Sequence, residues 1–216
     1  MPETISIEPE PLDEDVRIAN IQSEAQRHRL AIDSEVAAML AQDAAVGFGA
    51  SGGKDSDAMA LATTRFLDAV GHQGPRVLIH ADLGQIEHAD SLPQCERLAA
   101  RCGLELIVVR RQSGGMLERW EQRWRDNAAR YINLECVTLI TPWSSAAMRF
   151  CTSELKVAPI TRNLAIRFHG RPIINAVTNK PADHFAAIRL VIVIVPSGFF
   201  TTGLRVQFGL LAVVST

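Results

Sequence analysis

The sequence predicts an α/β fold with three layers, in which a mostly parallel twisted sheet lies between two layers of helices. Short apolar runs at residues 44–50, 76–81 and 104–109 alternate with longer segments whose apolar residues recur at helical spacing. This β-α-β-α-β order requires crossover helices on a parallel sheet. The chain has 216 residues, which is enough for one domain with a sizeable core.

The N-terminal region divides into an arm and a helical segment. Residues 1–15 are acidic and rich in proline, and we interpret them as a flexible arm. From Val16 onward, apolar residues at helical spacing predict one or two helices that cover a face of the sheet. These apolar residues are Ile18, Ile21, Ala25, Ile32, Val36 and Met39.

The central elements follow from the same periodicity and from turn residues. Helices are predicted over 55–70 and 92–102, and the second of them ends at Gly103. The three apolar runs are suited to buried strands, and a fourth strand is predicted over 172–177. The domain is therefore expected to span residues 16–183, with its ligands at the carboxyl ends of the strands.

A further helix is predicted over 116–131, with an aromatic stripe on one side. The stripe consists of Met116, Trp120, Trp124 and Tyr131. Such a stripe is typical of a core or of a contact between subunits rather than of a platform for base stacking. Arg119 and Arg123 lie on other sides of this helix, where we expect a solvated face.

Composition argues against several classes of protein. The formal net charge is −2, so neither a nucleic acid nor a membrane surface is an expected partner. The four cysteines have no spacing typical of a zinc site, and no iron–sulfur cluster is expected. Since the acidic start also lacks the apolar core of a signal peptide, the expected location is the cytoplasm.

The most specific motif is Ser-Gly-Gly-Lys-Asp-Ser at residues 51–56, between the first strand and the first crossover helix. Small residues let backbone N–H groups surround an anion, and the positive end of the helix dipole points at the same place. The Walker pattern does not fit, because Phe48 stands where its first glycine is required. The motif predicts a phosphate site of another kind.

Two further motifs follow along the chain. His80 and Asp82 end the second strand on one face, just before Gly84, and Glu87 lies shortly beyond. The second motif, at residues 149–159, reads Arg-Phe-Cys-Thr-Ser-Glu-Leu-Lys-Val-Ala-Pro. Its cations, Arg149 and Lys156, flank a thiol and a hydroxyl near a helix start and could hold an anion.

In this order the three motifs resemble the PP-loop superfamily of adenine nucleotide alpha-hydrolase-like proteins, and the motif at 149–159 resembles its phosphoadenosine phosphosulfate (PAPS) reductase and sulfate adenylyltransferase small-subunit branch. The resemblance covers residues 44–168 and implies a Rossmann-like fold. It also implies a role in sulfur metabolism or in a related adenylyl-transfer reaction, with ATP as substrate and Mg²⁺ as cofactor. The expected reaction cleaves the bond between the α and β phosphates and transfers the adenylyl group to an unidentified acceptor.

The resemblance assigns roles to individual residues. Lys54 and Asp55 are the expected catalytic pair, and Asp55 is the expected Mg²⁺ ligand. The remaining expected contacts are Ser51, Gly52, Gly53 and Ser56 for pyrophosphate, Asp82 and Gly84 for the nucleotide, and Arg149, Cys151, Thr152 and Lys156 for a second anion. His80 and Glu87 are accessory candidates, with a packed strand histidine as the alternative for His80 and a simple turn cap as the alternative for Asp82.

Two other functions stay open at this point. A thiol-dependent sulfonucleotide reductase is one, although the sequence has no cysteine after Cys151, where such reductases carry their nucleophile. A nucleotide-binding protein without catalysis is the other. A homo-oligomer and a partner subunit are both compatible with the sequence.

The resemblance ends after the predicted fourth strand. Family members usually continue with Gly-x-Arg, whereas residues 178–183 read Thr-Asn-Lys-Pro-Ala-Asp, and residues 184–216 form an apolar tail without Asp or Glu. Three interpretations of this tail remain. The first is a membrane span, and the second is a buried β-hairpin that turns at residues 196–198. The third is that the reading frame departs here from that of the family, so that the tail is not a selected ending. The third would leave the catalytic apparatus incomplete.

Overall fold

The fold was examined in a computed structural model, which describes residues 13–28, 30, 32–145, 148–179 and 189–190. A four-stranded parallel sheet has the strand order β3-β2-β1-β4. Its strands are β1 (Ala45–Ala50), β2 (Arg76–Asp82), β3 (Glu105–Arg110) and β4 (Ile173–Ala176). A separate antiparallel pair joins β5 (Thr178–Asn179) to β6 (Arg189–Leu190).

Helices cover both faces of the parallel sheet. They are α1 (Glu14–Arg27), α2 (Ser34–Ala41), α3 (Lys54–Ala69), α4 (Ser91–Cys102), α5 (Met116–Ile132), α6 (Phe150–Thr152) and α7 (Ala158–Arg167). A π-helical turn, Ser153–Val157, joins α6 to α7. The predicted α/β fold with three layers is confirmed, and the predicted helices and strands agree with the observed ones to within a residue or two at most ends.

The alternation of side chains along the strands divides the core in two. On one face, Val46, Phe48 and Leu78 pack with residues of α1 to α4. On the other face, Val77 and Ile79 pack with residues of α7. The period of two along each strand therefore assigns its apolar residues to both helical layers, as a parallel sheet requires.

Helix α7 packs onto the central strand β1 through the side chain of Leu164. A Cβ atom at Gly47 would come within 2.9 Å of a methyl group of Leu164, which is fully buried in α7. A side chain at position 47 would therefore force the Leu164 side chain to move, so glycine suits this contact. The contact holds α7 against the centre of the sheet.

One expectation from the sequence needs correction. Asp13 is the N-cap of α1, which begins at Glu14, so the helical region starts before the end of the predicted arm. In the aromatic stripe, Met116 lies in the core whereas Trp124 and Tyr131 are each 46% exposed, and a contact between subunits stays a prediction for them. The rest of the arm, residues 1–12, lies outside the described residues.

The apolar tail also lies outside the described residues, except for Arg189 and Leu190 in β6. The three interpretations of the tail therefore remain untested. None of the helices that the structure describes combines the length and apolar character needed to cross a membrane.

A double-mutant cycle tests the contact between Gly47 and Leu164. Leu164→Ala should lower the free energy of unfolding by about 2–5 kcal/mol, because it empties a buried site. Gly47→Ala should cost about 1–3 kcal/mol in the native background, because its methyl group overpacks against Leu164. Urea denaturation should show a much smaller cost of Gly47→Ala when Leu164 is already alanine. Additive effects would contradict the close contact, and the exposed Ile166→Ala serves as the control.

Candidate functional site

The loop after β1 has a backbone that only glycine adopts easily. Gly52 has a φ of +71°, and a Cβ atom there would lie 2.7 Å from the backbone of Ser91 at the start of α4. Gly53 has an ordinary φ of −101° and is the N-cap of α3. The loop therefore turns sharply at Gly52 against α4 and then enters α3.

The hydroxyl group of Ser56 holds this turn together. It donates a hydrogen bond to the carbonyl oxygen of Gly53 at 2.7 Å and accepts one from the backbone N–H of Ser51 at 3.3 Å. Ser56 is buried, whereas Ser51 is exposed. The buried hydroxyl group of Ser56 thus stabilises the loop. Contact between Ser56 and a phosphate remains a prediction.

Lys54 opens α3 in an exposed position. Among the described residues it forms no ion pair with a carboxylate. A cation in the first turn is unfavourable for a helix, because its charge adds to the positive end of the dipole. The first N–H groups of α3 also have no acceptor within the helix. Lys54 and these N–H groups could bind an anion, next to the carboxylates of Asp55 and Asp57 in the same turn.

His80 supports the loop from the neighbouring strand. It is 2% exposed, and its Nδ1 atom lies 2.9 Å from the carbonyl oxygen of Ala50, the last residue of β1. A carbonyl only accepts, so the Nδ1 atom donates the proton. The Nε2 atom lies 3.8 Å from a carboxylate oxygen of Glu87. The alternative of a packed strand histidine is therefore the one that the structure favours.

Cys95 lies beside His80 under the same loop. Its sulfur atom is 3.5 Å from Nδ1 of His80, and the thiol is fully buried. Burial raises the pKa of the Cys95 thiol to about 11, in spite of a hydrogen bond from the backbone of Gly52 that favours the thiolate. Asp57 and Glu87 raise this pKa further. Cys95 is therefore a neutral packing group, and nothing in the sequence distinguished it from the other cysteines.

Asp82 is engaged by its own surroundings. One carboxylate oxygen accepts a hydrogen bond from the N–H of Gly84 at 2.7 Å, and the other lies 3.3 Å from Nε of Arg110. Glu87 likewise accepts a hydrogen bond from the N–H of Leu83 at 2.8 Å. The structure brings these carboxylates to the carboxyl edge of the sheet, as predicted, and shows the turn-capping arrangement at Asp82.

The segment that contains the third motif reaches the same edge. Leu155 in the π turn packs with Met116 and Phe150, next to Leu83, which directly follows β2. Cys151 is half-buried and its sulfur accepts a hydrogen bond from the Ser144 hydroxyl at 3.1 Å. Pro159 lies in the first turn of α7, where proline is tolerated, so it does not break the helix.

The flanking residues of this motif differ in exposure. Arg149 and Thr152 are exposed, whereas Lys156 is half-buried in the π turn. π turns within helices often occur at functional sites. The clamp formed by Arg149 and Lys156 around a second anion remains a prediction.

An ion pair that the sequence analysis missed fixes the π turn. Arg119 binds both carboxylate oxygens of Glu154, at 2.7 and 3.0 Å, and its guanidinium lies 4.8 Å from the ring centre of Phe150. This contact, with nearby Arg111 and Arg123, holds the pKa of Glu154 below its usual range. Arg123 donates a hydrogen bond to the carbonyl of Thr141 at 3.2 Å. The expectation that Arg119 and Arg123 form a merely solvated face was wrong.

The donor set at the loop fits a metal that arrives with a nucleotide. Within the described part of the chain, no three His, Cys, Asp or Glu side chains group to hold a metal ion. Mg²⁺ commonly uses only one or two carboxylates together with substrate phosphates and water. Asp55 stands where such a contact is predicted, whereas Asp57 binds Gln94 through one oxygen at 2.5 Å and buries the other.

No protein-family model matches this chain, and none of the curated proteins is significantly similar to it. The resemblance to PP-loop proteins therefore rests on the motifs of the chain itself.

The two glycines of the loop make a matched pair for a test of its backbone. Gly52→Ala should lower the free energy of unfolding by at least about 1–2 kcal/mol, since an L-residue is strained at positive φ and its Cβ would also meet Ser91. Gly53→Ala should change it by less than about 1 kcal/mol, because a Cβ there meets nothing closer than 3.6 Å. Urea denaturation measures both. Equal costs would contradict the loop conformation.

The raised pKa of Cys95 predicts a specific pH dependence of stability. An unfolded thiol loses its proton near pH 8.5, whereas the folded one keeps it until about pH 11. Between these values the unfolded state binds fewer protons, so the free energy of unfolding should fall as the pH rises. Wild-type stability should fall relative to that of Cys95→Ala between pH 8.5 and 10.5. A difference that stays constant across this range would show that Cys95 is not protected.

Proposed function

We propose that this chain is a PAPS reductase-like PP-loop enzyme that binds ATP with Mg²⁺ and cleaves the bond between the α and β phosphates. The adenylyl group goes to an oxygen nucleophile of the acceptor, and pyrophosphate leaves. The observation that carries the proposal is the turn at Gly52 and Gly53, which places the exposed Lys54 at the positive end of α3. The expected location is the cytoplasm.

The position of this turn in the sheet supports nucleotide binding. The chain leaves β1 toward β2 and β3 on one side and then crosses from β3 to β4 on the other side of β1, so the strand order reverses next to β1. In open α/β sheets, ligands bind at such a point, outside the carboxyl ends of the strands. The loop after β1 lies there.

The chemistry requires positive groups where negative charge develops. As the bond to the β phosphate breaks, charge grows on the leaving pyrophosphate, and Lys54 with the N–H groups of Gly53 and of the first turn of α3 would stabilise it. Mg²⁺ bound to the phosphates, and held through Asp55, would supply further charge neutralisation. An acceptor that is already an oxyanion needs no general base. Ser56 and His80 contribute by fixing the loop.

The affinity for ATP tests the site directly. Lys54→Ala should weaken ATP binding by about 1.5–3 kcal/mol in free energy, which is the scale of a hydrogen bond to a charged group. Isothermal titration calorimetry in the presence of Mg²⁺ measures this, and Arg65→Ala, an exposed cation farther along α3, is the matched control. Unchanged affinity of folded Lys54→Ala for both ATP and pyrophosphate would sink the phosphate-site assignment.

The products decide between the enzyme and its alternatives. Incubation with ATP, Mg²⁺ and a panel of oxyanion acceptors should yield pyrophosphate with AMP or an adenylylated product, and PAPS with excess dithiol should yield no sulfite. Sulfite formation that Cys151→Ser abolishes would identify a reductase instead. Tight ATP binding without any turnover would identify a binding protein.

A further inference from the structure

A groove lies beside the β3 edge of the parallel sheet. It lies between the carboxyl end of β3, with the residues that follow it, and the first two turns of α7. Its volume is about 620 Å³, which is in the range of small-molecule sites. The phosphate loop does not line it, so this groove is distinct from the nucleotide site proposed above.

Positive charge dominates the lining of the groove. Three arginines line it, Arg110, Arg111 and Arg162, against the single carboxylate residue Glu154. Both oxygens of that carboxylate are already bound by Arg119. The groove is therefore electropositive, and guanidinium groups recognise carboxylates and phosphates through paired hydrogen bonds.

Two of the three arginines have capacity for a ligand. Arg110 is paired with Asp82 at 3.3 Å. Arg111 donates to the carbonyl oxygen of Ser113, which leaves its other N–H groups available. Arg162 is exposed and forms no ion pair with any carboxylate in the described part of the chain. An incoming anion would meet Arg111 and Arg162 without breaking an existing pair.

Apolar walls accompany these cations. Val108 of β3 is 46% exposed and Ile166 of α7 is 59% exposed, and Pro159 of α7 also lines the groove. Apolar surface next to guanidinium groups favours an anion that is attached to an apolar body over a small inorganic ion.

We propose that the groove binds an organic oxyanion, a carboxylate or phosphate group carried on an apolar body, and that this ligand is the acceptor. The assignment as acceptor rests on the proposed function. Strands β1 and β3 are separated only by β2, so their carboxyl ends lie about 10 Å apart. A small molecule in the groove therefore extends readily toward a nucleotide at the loop after β1.

Binding of model anions tests the groove independently of catalysis. The probes are 1-naphthyl phosphate and 1-naphthoate, with 1-naphthol as the neutral analogue and inorganic phosphate as the analogue without an apolar body. Calorimetric titration of the full chain should show that at least one naphthyl anion binds about tenfold more tightly than either analogue. Whichever anion binds more tightly identifies the preferred group. Equal affinity for 1-naphthol would overturn the proposal.

Variants then locate the site. The double variant Arg111→Gln/Arg162→Gln should weaken naphthyl-anion binding about tenfold or more, and Arg162→Lys should retain part of the affinity. Arg101→Gln, an exposed arginine of α4 on the opposite face of the sheet, should have no effect. Melting temperature and circular dichroism check that each variant is folded. Unchanged affinity in the folded double variant would exclude the groove.

The Lys54→Ala variant separates this inference from the proposed function. Naphthyl-anion binding should survive Lys54→Ala, and ATP binding should survive the double arginine variant. Loss of naphthyl-anion binding in Lys54→Ala would place the anion at the loop and overturn the groove proposal. Groove binding without any ATP binding would support the site and overturn only its role as an acceptor site.

Discussion

The packing of Leu164 in α7 onto Gly47 in β1 is the constraint on which much of the structure depends. Small residues at positions 45, 47 and 49 line the side of β1 that faces away from α3, whereas Val46 and Phe48 fill the other side. Leu164 consequently packs directly onto Gly47. Because α7 lies so near the sheet, the π turn that precedes it is held at the carboxyl edge, beside the residues that follow β2 and β3. The third motif and the groove both owe their position to this contact.

Most of the fold could be predicted because its signals are local. Apolar periodicity located the helices and strands, and Gly103, at a φ of +66°, ended α4 where the sequence indicated. Contacts between strands were harder to predict. The alternation of side chains along β2 places His80 on the side of the sheet that α4 covers. Its hydrogen bond to the carbonyl of Ala50, however, depends on the register between β1 and β2, which sets these two residues side by side. A register is a property of two strands, and neither sequence specifies it alone.

The candidate site shows the same division. The loop at 51–56 was predictable because its chemistry lies in consecutive residues. The pair between Arg119 and Glu154 was not, because 35 residues separate the partners and their meeting requires the π turn. Asp82 illustrates a third case: its position at the strand end followed from periodicity, whereas its pairing with Arg110 depends on the register between β2 and β3.

The shape of the loop is determined mainly by its neighbours. Ser91 packs under Gly52, Cys95 accepts a hydrogen bond from its N–H group, and His80 binds the carbonyl of Ala50. All three residues belong to β2 and α4, and Glu87, in the turn between these elements, contacts Leu83 and His80 at the end of β2. Asp82 lies at the start of the turn between β2 and α4 and also pairs with Arg110. A series of contacts therefore runs from the edge of β3, through this turn and α4, to the backbone around Gly52.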